Sequence, residues 1–162
     1  MYVDALLALS GSILGNTVTG QAVGSVGTIV LSTNTIDLAS GGVPASQIRD
    51  LGEGQDLFGR FEVVVAVAGG TSIDMQVIAT DAANLTGNVT VIGSTGAIPI
   101  AQLVAGARFA CQINPRLASR GQRYIGCQYV SVGTTTAITV YGDIGVEIQD
   151  GMKFYQNGFA VL

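Results

Sequence analysis

The chain has 162 residues, a length that accommodates one domain of ordinary size and not two independent cores. Hydrophobic residues make up 48% and charged residues 11%, which excludes a chain kept disordered by charge. Histidine is absent and the net charge is -4, so histidine bases and histidine metal ligands are excluded and the composition argues against nucleic acid as a partner.

Valine (19), isoleucine (14) and threonine (14) together supply 47 residues, and such branched side chains pack well on pleated strands and poorly inside helices. An all-β protein is the expectation. Sparse charge on so apolar a chain further predicts that part of its surface is covered by another subunit or partner.

Residues 1–27 carry Gly11, Gly15, Gly20, Gly24 and Gly27 among Ser, Thr and Val, with little sustained periodicity, and read as an extended N-terminal arm. Tyr2, Val3, Leu6, Leu7 and Leu9 are its natural anchors, and the arm is expected to order against a neighbouring subunit. The first ten residues imitate a secretory core, yet no Lys or Arg precedes Arg49 and Asp4 has the wrong sign, so no signal peptide is expected. Their apolar run is also far short of the ~20 residues that span a bilayer, and no membrane partner is expected. Gly20, Gly24 and Gly27 lack dinucleotide-binding spacing.

A single β-sandwich domain is expected over 28–162. Thr28 to Leu38 reads as a strand stopped by Ser40-Gly-Gly42, and 39–56 as a polar loop. Leu57 to Val67 reads as a central strand, and Gly69-Gly70 turns it into an alternating strand, Thr71 to Thr80, as a hairpin. Asp81 to Thr86 is a turn with Asx chemistry; Val89 to Ile92 is a short strand ended by Ser94-Thr-Gly96; Ile100 to Ala105 is a weak helix candidate. Strands follow at Arg108 to Ile113 and Tyr124 to Val132. In the last, Ile138, Val140, Ile144, Val146 and Ile148 share one parity and Thr139, Tyr141, Asp143 and Glu147 the other, as a half-buried strand requires. Seven or eight short strands with frequent turns give an antiparallel β-sandwich or jelly roll.

Candidate chemistry is thin. Cys111 and Cys127 have neither metal-binding nor redox spacing and are expected to be reduced core thiols. Asp50, Glu53 and Asp56, at three-residue spacing on a loop beside Arg49, have the oxygen chemistry of a hard-cation site without the EF-hand pattern, and read first as a solvated loop. Lys153 is the sole lysine and has no Ser-x-x-Lys context. An enzyme would need a carboxylate pair such as Asp74 with Glu62. The Asn84 and Asn88 sequons matter only in a eukaryotic secretory setting. Arg116, Arg120 and Arg123 fall within eight residues, and guanidinium groups so clustered suit intersubunit or intraloop salt bridges.

Four stretches, Ser32-Thr-Asn-Thr-Ile-Asp-Leu38, Asp50-Leu-Gly-Glu-Gly-Gln-Asp-Leu57, Met75-Gln-Val-Ile-Ala-Thr-Asp-Ala-Ala-Asn-Leu85 and Arg123-Tyr-Ile-Gly-Cys-Gln-Tyr129, resemble the capsid cement (decoration) proteins of tailed bacteriophages, the group typified by the Bordetella phage cement protein. The resemblance runs from about Ser32 to Tyr141. It implies a jelly-roll-like β-sandwich without catalysis, cofactor or metal, made in the host bacterial cytoplasm. Such a protein assembles as a dimer or trimer on the outer surface of an icosahedral head and bridges neighbouring major capsid subunits. Tyr2, Leu6, Arg116, Arg120 and Arg123 are the residues expected at its contacts. The competing expectation is a β-sandwich carbohydrate-binding module that uses Tyr124, Tyr129 and Tyr141 as sugar platforms, with calcium at Asp50, Glu53 and Asp56.

Overall fold

The computed structural model describes residues 7–14, 17–25, 27–39, 56–114 and 122–146. Within them the regular structure is almost entirely strand, in the order β1 (Ala8–Ser10), β2 (Ser12–Leu14), β3 (Thr17–Thr19), β4 (Gln21–Ala22), β5 (Ile29–Leu31), β6 (Ile36–Asp37), β7 (Phe58–Val65), β8 (Ser72–Thr80), β9 (Thr90–Pro99), β10 (Arg108–Gln112), β11 (Tyr124–Val132) and β12 (Thr139–Gly145). One short 3-10 turn, Ile100–Gln102, is all that forms of the helix candidate at 100–105.

Two antiparallel sheets carry the fold. The first has the order β1-β12-β7-β10, with β4 also on β12; the second has the order β5-β11-β8-β9, with β6 also on β11. In each sheet, two short segments share one edge of a long strand. β4 lies against Thr139 and Val140 and β1 against Gly142 and Asp143, while β5 lies against Gln128 to Val130 and β6 against Tyr124 and Ile125. Each sheet therefore has four strand positions, and the expected jelly-roll-like sandwich is what forms.

Period-two alternation explains which faces meet. Phe61 and Val63 on β7, Ile73, Met75 and Val77 on β8, and Ile125, Cys127 and Tyr129 on β11 join one buried core between the sheets. Tyr129 ties the layers together: its ring meets Phe61 edge-to-face, with centroids 6.1 Å apart, and its hydroxyl donates to Ser10 Oγ at 2.7 Å. The lateral openings are also closed. Asn114 N–H donates to Ile92 O between the β10 and β9 edges, and Asn34 N–H donates to Leu9 O on the opposite side. Edges joined in this way offer few open ladder groups for unwanted strand addition.

Several expectations are corrected by the sheet topology. Strands β7 and β8 do not form a hairpin; they belong to different sheets, and Gly69 (φ +74°) and Gly70 (φ +80°) carry the chain over the end of the sandwich. Both strands have one apolar face, and burying both faces is achieved by stacking them across the core. The stop expected at Ser94-Thr-Gly96 is a bulged continuation of β9, with register shifts opposite Asp74/Gln76 and Val77/Ile78. The single strand expected over 28–38 is two segments, β5 and β6, interrupted around Ser32, whose Oγ accepts from Cys127 N–H. In β12 both parities are buried: Tyr141 and Asp143, expected to face water, are 5% and 1% exposed. The outer face of that strand is covered because the Arg60 guanidinium lies over Gly145 and binds Asp143.

The N-terminal segment is extended, as expected, yet its described part is not a separate arm. β1 and β4 complete the first sheet, and Leu9 and Val23 are core residues. Between them, β2 and β3 form a small ribbon that leaves the edge of β12 and returns to it. Gly11 closes its base with φ +76°, where a Cβ would sit 2.0 Å from Thr19 O.

Two substitutions test this wiring. Gly11→Ala places a methyl group on backbone in a conformation that alanine disfavours, and should destabilise the protein by about 1–3 kcal/mol or more, read by chemical denaturation. Tyr129→Phe leaves the buried Ser10 hydroxyl without its donor, and should cost about 1–3 kcal/mol with no change of secondary structure by circular dichroism.

Candidate interaction surface

The strand registers give the sandwich two unlike poles. At one pole the connections are short: 66–71 joins β7 to β8, 100–107 joins β9 to β10, and 133–138 joins β11 to β12. At the opposite pole lie residues 7, 39, 56, 114, 122 and 146, the described residues that flank segments 1–6, 40–55, 115–121 and 147–162. Strand direction alone produces this separation, since β1, β7 and β11 all start at that second pole while β6, β10 and β12 all end there.

Of the residues expected at contacts, Tyr2, Leu6, Arg116 and Arg120 lie outside the described residues, as do Arg49, Asp50, Glu53 and Lys153. Arg123 is described, at the second pole. Its Nε and Nη2 donate to Asp37 Oδ1 and Oδ2 at 2.6 and 2.7 Å, and its guanidinium lies 5.1 Å from the centroid of the Tyr124 ring. That hydrogen-bonded guanidinium holds the Asp37 carboxyl below its ordinary value of 3.8. Arg123 is thus engaged within its own chain, on a register position where β6 meets β11.

The other described guanidinium groups are also held by carboxylates. Arg60 binds Asp143 through Nε and Nη2 at 2.7 and 2.8 Å in a nearly buried pair, and Arg108 binds Glu62 at 3.1 Å directly across the β7–β10 register. The sequence offered no pairing signal for Arg60 and Asp143, 83 positions apart; the β7–β12 register brings them face to face. The carboxylates weighed as a catalytic pair are kept apart. Glu62 and Asp74 both occupy outward parities, Glu62 on the first sheet and Asp74 on the second, so the sandwich core stands between them. Among the described residues no cluster of three His, Cys, Asp or Glu side chains is placed to hold a metal ion.

Two of the three tyrosines considered as sugar platforms are inside. Tyr129 is 1% exposed between the sheets, and Tyr141 lies under the Arg60–Asp143 pair, with burial pushing its hydroxyl pKa upward. Cys111 and Cys127 are free and buried, in agreement with the expected core thiols. Burial pushes the Cys111 thiol up to about 11 and raises Cys127 as well, so both stay protonated at neutral pH. Asn84 and Asn88 serve the 81–89 turn: Asn84 Oδ1 accepts from Thr86, and Asn88 Nδ2 donates to Asp81.

What this surface offers is contact chemistry displayed on a rigid antiparallel β-sandwich, the class of protein that its architecture defines. The chain matches the Bbp16 family over residues 17–144 and belongs to it. This is a Bordetella phage protein family, in line with the resemblance drawn from the sequence, and it makes the chain a bacteriophage structural protein. The match begins inside the glycine-rich segment, at β3, and ends in β12, so it takes in β4 and β5. No curated protein matches the chain.

Three outcomes follow. Asp143→Ala removes the carboxylate from a nearly buried ion pair and should cost about 3–5 kcal/mol, measured by denaturation against wild type. The Asp37–Arg123 pair contributes stability only while the carboxyl is ionised. Because the folded pKa is lowered, that contribution is present above the ordinary value and is lost as pH falls through the folded one. The small difference in melting temperature between wild type and Asp37→Asn at about pH 7 should therefore persist down to the ordinary carboxyl value of 3.8 and close only at more acidic pH. A thiol reagent at neutral pH should modify neither cysteine in the native protein, and both after unfolding.

Proposed function

We propose that this chain is a capsid cement protein that binds the outside of an icosahedral phage head as a homo-oligomer and links neighbouring major capsid subunits. Membership of the Bbp16 family across 128 of its residues, 17 to 144, is the observation that carries the reading. The physical character of the molecule supports it. Both lateral openings of the sandwich are closed by hydrogen bonds, so the domain acts as a rigid block, and the low charge leaves apolar surface available for association.

In this reading the protein carries no catalysis. Glu62 and Asp74, the carboxylates weighed as a catalytic pair, stand on opposite faces, and the described thiols are sealed in the core. The carbohydrate alternative is set aside, because Tyr129 and Tyr141 cannot offer their rings to a sugar.

Cementing follows from mass action. A protein that binds two assembled neighbours more tightly than two separated ones shifts the equilibrium toward the assembled shell. Several weak contacts per oligomer multiply through the high local concentration that the first contact creates.

Heads prepared without this protein should lose their contents at a lower temperature than heads to which purified protein is restored, followed by dye access to packaged DNA. Light scattering after size exclusion should give a mass two or three times 16.5 kDa. A stable monomer that fails to sediment with heads overturns the proposal.

A further inference from the structure

The two outer faces of the sandwich differ in a way that assigns them different jobs. On the first sheet the outward side chains are neutralised in place: Arg60 with Asp143, and Arg108 with Glu62. The second sheet presents outward Asp74 and Gln76 on β8, Gln128, Val130 and Val132 on β11, Ile29 on β5 and Ser94 on β9. Its polar members form one chain of hydrogen bonds across three strands. Gln128 Nε2 donates to Gln76 Oε1, Gln76 Nε2 donates to Asp74 Oδ2 at 2.6 Å, and Ser94 Oγ donates to Asp74 Oδ1 at 2.8 Å.

Every donor to Asp74 is neutral. The three described arginines are held by other carboxylates, so no described cation stands beside the Asp74 carboxylate on this face. Apolar side chains border it at the short-loop pole: Ile29 and Val132 are 55% and 54% exposed, with half-buried Val130 between them. Further along, Leu85 of the 81–89 turn is folded over Gly126 and closes that part of the face, where a Cβ would meet Leu85 Cδ1 at 2.4 Å. The open part is therefore the region around Asp74, Val130, Val132 and Ile29.

We infer that the outer face of the second sheet is the surface that docks on the shell, and that its partner there is a protein surface presenting a lysine or arginine within an apolar rim. The inference rests on the cement reading for the identity of the shell. Charge complementarity selects the partner. A two-fold contact centred on this carboxylate would set Asp74 near Asp74, which like-charge repulsion opposes, whereas a basic side chain meets a carboxylate already aligned by Gln76 and Ser94. Fixed neutral donors hold that carboxylate in one orientation, so little side-chain freedom is lost on docking.

The test is co-sedimentation with empty heads assembled from the major capsid protein of the same phage. Asp74→Asn should lower affinity about tenfold and flatten its dependence on salt, because the lost contact is the screened one. Val132→Lys should weaken binding more than Val132→Glu, since only the lysine repels a basic partner. Arg108→Gln, on the opposite face, should bind as wild type does. Melting curves of all four variants establish that they are folded; should Asp74→Asn fail that check, the Val132 pair carries the test. Wild-type affinity and salt dependence in Asp74→Asn, with equal effects of Lys and Glu at Val132, overturn this inference and leave the cement reading standing. Failure of the wild-type protein to sediment with heads overturns both.

Discussion

The rest of the molecule depends on the pairing of β12, the last described strand, with β1 and β4 from the start of the described chain and β7 from its middle. Its ladder with β7 builds the middle of the first sheet, and its other edge is filled by β1 and β4. A strand so placed is buried on both faces, and this is why Asp143 is acceptable there only with its bidentate Arg60. Desolvating a carboxylate is costly, and a planar guanidinium supplies both donors it needs. The β1 and β4 pairings join residues more than a hundred positions apart, so the sheet closes only when the N-terminal segments and the last described strand are together.

Once β12 is in place, strand direction divides the molecule into two poles, and the core divides it into two outer faces. The first face pairs its described charges internally, while on the second one carboxylate has no described cation beside it and lies near apolar side chains. The two faces of this member of a phage protein family are therefore chemically distinct.

Local patterns carried much of the architecture. The alternation in β8 placed Ile73, Met75 and Val77 inward and Asp74 and Gln76 outward, and the β-branched run at 124–132 is the long strand β11. Where the sequence misled, the deciding contact was remote. Gly69-Gly70 has the composition of a hairpin turn and of a sandwich corner alike, and only the partners of β7 and β8 distinguish them. The glycines of 1–27 weaken a strand in isolation, but docking on β12 stabilises β1 and β4 as no local propensity could. Tyr129 and Tyr141 have the same side chain as an exposed sugar platform, and burial alone removes them from that role.

The sequence by itself determined that the protein is all-β, that its cysteines are core thiols and that its relatives are phage proteins. These properties reside in composition, period-two alternation and contiguous stretches of chain. Tertiary structure decided which strands share a sheet, which carboxylates find a guanidinium and on which face Asp74 lies. Those outcomes rest on pairings between distant residues, such as Arg60 with Asp143 and Gln128 with Gln76, which exist only after the two sheets have formed.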